Sequence, residues 1–67
     1  MNHKKLEEIH ESLVNGQRKQ MVKQIQTYGT YDFWEHYAIY LQGFYPIEDQ
    51  LKYFVDAVIS YHRIKAR

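Results

Sequence analysis

The chain has no cysteine, a single proline and three glycines among its 67 residues. Without cysteine there is no disulfide staple and no thiolate metal site, which agrees with a reducing compartment. So few prolines and glycines leave few points at which a helix must stop. No apolar run approaches the roughly 20 residues needed to span a bilayer, and the opening Met1-Asn2-His3-Lys4-Lys5 lacks the apolar segment of a signal peptide. The expectation is a soluble, cytoplasmic protein with no membrane partner. A dominant charge is missing too: nine Lys plus Arg against eight Asp plus Glu leave a net charge of +1. That balance argues against the broad basic footprint of a dedicated nucleic-acid binder.

Aromatic side chains are plentiful: seven Tyr, three Phe and one Trp. They suit either a compact core or a binding surface. A domain of this length buries only about 60% of the surface its unfolded chain exposes. Small domains often gain stability from a second copy, so a homodimer is one candidate assembly.

Gly16, Gly29, Gly43 and Pro46 divide residues 1–67 into four helical pieces of a single domain. The first, about residues 4–14 within an N-terminal segment 1–15, carries the narrow stripe Leu6, Ile9, Leu13 and depends on docking to be stable. The second, residues 17–28, sets Met21, Val22, Ile25 and Tyr28 against Lys19, Lys23 and Gln26. The third begins Thr30-Tyr31-Asp32 and runs to Gln42, and its Asp32 and Glu35 suggest a capping pair. Two apolar stripes lie side by side there: Trp34, Ala38, Leu41, Tyr45 and Phe33, Tyr37, Tyr40, Phe44. The fourth, from Pro46 to about residue 65, has the strongest pattern, with Ile47, Leu51, Phe54, Val55, Val58 and Tyr61 expected to face the core, and Trp34 and Phe54 as its anchors. The predicted fold is all-α: a small bundle of three to four short helices ending in an aromatic-rich helical hairpin.

Catalytic signatures are missing. There is no glycine-rich phosphate loop, nucleophile elbow or zinc-binding histidine pair, so no enzyme, metal or cofactor is predicted. Asp32, Glu35 and His36 share a helical stretch, but a cap and an exposed histidine explain them better than a metal, because one helix rarely supplies enough ligands. His62 is expected at the boundary of the core beside Tyr61, and His10 on the surface. Arg18, Lys19 and Lys23 form a basic cluster that a nucleic-acid regulator could use, together with Arg63, Lys65 and Arg67. The next helix, however, opens Asp32-Phe33-Trp34-Glu35, and its carboxylates would repel phosphates.

The stretches Asn15-Gly16-Gln17-Arg18-Lys19-Gln20-Met21-Val22, Tyr28-Gly29-Thr30-Tyr31-Asp32-Phe33-Trp34 and Val58-Ile59-Ser60-Tyr61-His62-Arg63-Ile64 resemble small uncharacterised proteins encoded by bacteriophages. The likeness covers roughly residues 15–64. It implies a stoichiometric binder of a host protein, working as an inhibitor or modulator in the cytoplasm of the bacterial host. Aromatics and arginine dominate binding hot spots. Two stripes on the third helix exceed the roughly 100° that one core requires. Phe33, Tyr37, Tyr40 and Phe44 are therefore expected to stay partly exposed and meet the partner. The alternative is a nucleic-acid-binding regulator built on Arg18, Lys19 and Lys23.

Overall fold

The computed structural model describes residues 1–66, and Arg67 lies outside them. Four helices follow in order: α1 (His3–Val14), α2 (Arg18–Tyr28), α3 (Thr30–Phe44) and α4 (Ile47–Lys65). No strand occurs among the described residues, so the all-α bundle is the fold found.

Local chemistry explains each boundary. The Asn2 side-chain oxygen accepts from the Lys5 backbone N–H at 3.1 Å and caps α1. Gly16, at φ 78°, turns the chain out of α1, and the Gln17 N–H donates back to the Ser12 carbonyl at 2.8 Å. Gly29 serves two helices at once. Its N–H donates to the Ile25 carbonyl at 3.0 Å, and its carbonyl accepts from Phe33 at 2.8 Å. With φ at 112° this hinge sits where side-chain-bearing residues are strained. Because α3 starts directly after Gly29, Asp32 lies inside its first turn and caps nothing. The helix also continues past Gln42 to Phe44, leaving only Tyr45 and Pro46 as the link to α4.

The core draws on every helix. Leu6, Ile9 and Leu13 of α1 meet Met21, Val22 and Ile25 of α2 and Phe33, Tyr37, Tyr40 and Leu41 of α3. Phe33 and Tyr37 are its largest fully buried side chains, with stacked rings 5.0 Å apart. This corrects the expected partner-binding surface: Phe33, Tyr37 and Tyr40 are core, and Phe44 alone of the four is exposed. The reason is α1, which packs on both α2 and α3 and covers the stripe that α2 and α4 could not cover alone. Trp34 is half-buried rather than central, its indole edge-on to Phe54 and Tyr61 at 5.7 Å each.

A second correction concerns α4. Of its six expected core residues only Tyr61 is buried; Phe54 and Val58 are half-buried, and Ile47, Leu51 and Val55 face outward. The inward face is instead Tyr53, Ala57, Ser60, Tyr61 and Ile64, rotated by roughly a quarter to a third of a turn. Small Ala57 and Ser60 let α4 approach closely, and polar contacts hold that face in place. The Arg18 Nε donates to the Ser60 hydroxyl at 2.8 Å, its guanidinium pairs with Asp56 at 3.4 Å, and the Gln50 amide donates to the Tyr45 carbonyl at 2.9 Å.

This orientation sets a contrast that urea unfolding can read. Phe33→Ala should cost about 3–5 kcal/mol, whereas Leu51→Ala should cost less than about 1 kcal/mol. Equal losses would mean that α4 presents the other face to the core.

Candidate protein-docking face

With α4 turned as described, its outer side carries Ile47, Leu51, Val55 and Ile59, exposed by 63, 60, 50 and 44%. The four recur every fourth residue and form one continuous row along the helix. Val58 lies within the same row, half-buried. The row faces away from the helix's own core side, so α4 is apolar on two sides. Beside it a hollow of about 270 Å³ opens between the helices, floored by Ala38 and Leu41 of α3 and walled by Ile47, Leu51 and Phe54 of α4. Single exposed apolar residues need no explanation, but a contiguous row is a candidate interaction surface.

The row is bounded by charge of opposite sign at its two ends. Glu48 and Asp49 stand in the first turn of α4, and His62, Arg63 and Lys65 in the last. Both placements suit the helix dipole. His62 is exposed there, not at the core boundary as its neighbour Tyr61 suggested.

The basic cluster does not hold together. Arg18 turns toward α4 and is occupied by Ser60 and Asp56, while Lys19 and Lys23 remain exposed on another side of α2. The half-exposed Arg18–Asp56 pair is worth at most about 1 kcal/mol, so its main effect is to orient α4. His36 is likewise engaged, its Nδ1 2.7 Å from the Tyr28 hydroxyl, and Asp32 is exposed.

His10 is the residue that sequence reasoning placed most wrongly. It is buried, with Nδ1 2.8 Å from the Tyr37 hydroxyl and Nε2 3.0 Å from that of Tyr45, and its ring meets Tyr53 edge-on at 4.9 Å. Tyr37 has no other partner among the described residues, so its one hydrogen goes to a bare Nδ1. The Nε2 N–H then donates to Tyr45, whose own hydrogen can reach water. Protonated, His10 would present an N–H to Tyr37 and leave that buried hydroxyl hydrogen without an acceptor. Both ring nitrogens are used within the fold, which makes His10 a post joining α1 to α3 and to the α3–α4 link.

No protein-family profile matches this chain, and no curated protein or solved structure shows significant similarity to it.

The His10 cluster predicts a stability plateau with two edges. Burial lowers the His10 pKa from its ordinary 6.5, so its contribution is full above 6.5 and is lost as pH falls through the depressed value. Burial raises Tyr37, Tyr40 and Tyr45 above 10.0, helped by neighbouring tyrosines and by Glu7, Glu11, Asp49 and Asp56. Their contribution is full below 10.0 and is lost as pH rises through the raised values. Urea midpoints measured across pH should fall on both sides, and His10→Gln should flatten the acid edge. An acid edge unchanged in that variant would assign it to other groups.

Proposed function

We propose that this chain is a small protein-binding module that meets its partner through the outer face of α4. The observation that carries this reading is the continuous exposed row Ile47, Leu51, Val55, Ile59 on the side of the helix away from the core. An amphipathic helix presenting residues at this spacing is a recurrent way to fill an apolar groove on another protein. Rows of aliphatic side chains give contact area at little conformational cost, since Ile and Val have few rotamers to lose.

The resemblance to small phage-encoded proteins supports a host protein as the partner and stoichiometric inhibition or modulation as the outcome, in the bacterial cytoplasm. A non-catalytic role fits the same picture, because the best-placed histidine, His10, is enclosed in the fold. The nucleic-acid reading loses support from Arg18, which α4 occupies. It retains the exposed Lys19 and Lys23 of α2 and the exposed Arg63 and Lys65 at the end of α4, against a chain whose net charge is only +1.

A tagged chain incubated in bacterial lysate separates these readings. Capture of a host protein should be lost in Leu51→Glu/Val55→Glu and kept in Lys19→Glu/Lys23→Glu. Capture of nucleic acid that fades with salt and depends on the lysines alone would replace this reading with the other one.

A further inference from the structure

We propose that the outer face of α4 is covered by a second copy of this chain, packed antiparallel across a two-fold axis. The inference rests on the reading of that face as the docking surface and names its occupant. Three features of the row make it complementary to itself.

The first is its sequence symmetry. Ile47 and Ile59 end the row and the branched aliphatics Leu51 and Val55 fill its middle. A two-fold axis between Leu51 and Val55 sets Ile47 of each copy on Ile59 of the other, and Leu51 on Val55. Every contact then appears twice, as an isologous interface requires. The second is charge. In the antiparallel pair, Glu48 of one copy approaches His62 and Arg63 of the other, while Asp49 sits on the inner side of α4 toward Tyr45. A parallel pair would instead bring like charges and aligned helix dipoles together. The chain's net charge of only +1 adds little repulsion between copies.

The third is extent. From Ile47 to Ile59 the row is about 18 Å long at 1.5 Å per residue. A strip of that length and about 10 Å wide, with the adjoining hollow at Ala38, offers roughly a few hundred Å² per copy, the scale of weak and transient contacts. Such an area holds a dimer that dissociates on dilution, not an obligate one. The free monomer stays folded because the row contributes nothing to its own core.

Sedimentation equilibrium of the full chain, from micromolar to millimolar, should show a reversible monomer–dimer equilibrium. Leu51→Glu should raise the dissociation constant roughly tenfold or more, since it places a charge in the apolar contact, with the helical circular dichroism spectrum unchanged. Orientation is read separately. The chain has no cysteine, so single introduced thiols report cleanly. In the antiparallel pair, positions 55 of the two copies lie roughly 6 Å apart along the axis and positions 47 about 18 Å apart. A short bis-maleimide should therefore couple Val55→Cys and not Ile47→Cys. Coupling at both positions means a parallel pair and overturns the proposal, as does a wild-type chain that stays monomeric at millimolar concentration. If that monomer still loses its captured host protein on Leu51→Glu/Val55→Glu, only the second copy is wrong. If it loses nothing, the docking reading falls with it.

Discussion

The packing of α1 over the aromatic ridge of α3 is the contact on which the remaining geometry depends. Phe33, Tyr37 and Tyr40 project from α3 as a stacked series, with ring centroids 5.0 and 6.3 Å apart at the two steps. Rings of that size can be buried only if something covers them along their length. α1 does so with Leu6, Ile9 and Leu13, and it also brings a polar group, His10, into the covered space. A polar group there costs a few kcal/mol unless its hydrogen bonds are made. Tyr37 and Tyr45 make them, so the aromatic ridge and the histidine require one another. A short helix with a narrow apolar stripe thereby becomes part of the core.

Once α1, α2 and the rings of α3 have filled the centre, little room remains for α4. It docks through Ala57 and Ser60, which bring it close, and through Tyr53 and Tyr61, which reach past it into the aromatic cluster. Arg18 then fixes its rotation with one hydrogen bond to Ser60 and a pair with Asp56. The aliphatic residues of α4 are left outside because the space they would fill is already occupied by rings. The exposed aliphatic face is in this sense a consequence of the aromatic core. The side chains that stabilise the monomer and those of the proposed docking face are separate sets.

That separation explains what could be read from the sequence and what could not. The helices and most of their ends were legible, because Asn15-Gly16, Gly29 and Pro46 act through local backbone chemistry. The apolar sides of α1 and α2 were legible as well, since each has a single stripe and that stripe is buried. On α3 and α4 the periodicity was sound and the assignment of faces failed. Two adjacent apolar stripes on α3, and an aliphatic stripe beside a small-and-aromatic one on α4, each allow two orientations. The choice depends on which neighbour fills the intervening space, a property of the assembled volume and not of any one helix. Phe33, Tyr37 and Tyr40 look spare unless α1, with its narrow stripe, is placed over them. His10 was missed for the same reason, since a histidine flanked by Glu7, Glu8 and Glu11 looks like surface until Tyr37 and Tyr45 are placed around it. Its position one residue after Ile9, on the border of the Leu6–Leu13 stripe, was the one local sign of burial.

The composition of the outer row bears on whether it is an interface or an accident of packing. A solvated helix face gains from Glu, Lys, Gln and Arg, which keep helix propensity and pair along the surface. Ile, Val and Ile at positions 47, 55 and 59 do neither, because β-branched residues are poorer helix formers and leave apolar surface in water. In a domain of 67 residues, where roughly 0.05–0.15 kcal/mol per residue is typical, three such residues on one face lower helix propensity and leave apolar surface that favours aggregation. Polar residues could replace them without touching the core, since the inward face of α4 is built from other positions. The burden is offset only when the row is covered, and covering it with another copy, or with a partner's groove, turns each of these residues from a cost in water into buried contact area. The row therefore carries a cost in solvent that the proposed association would offset.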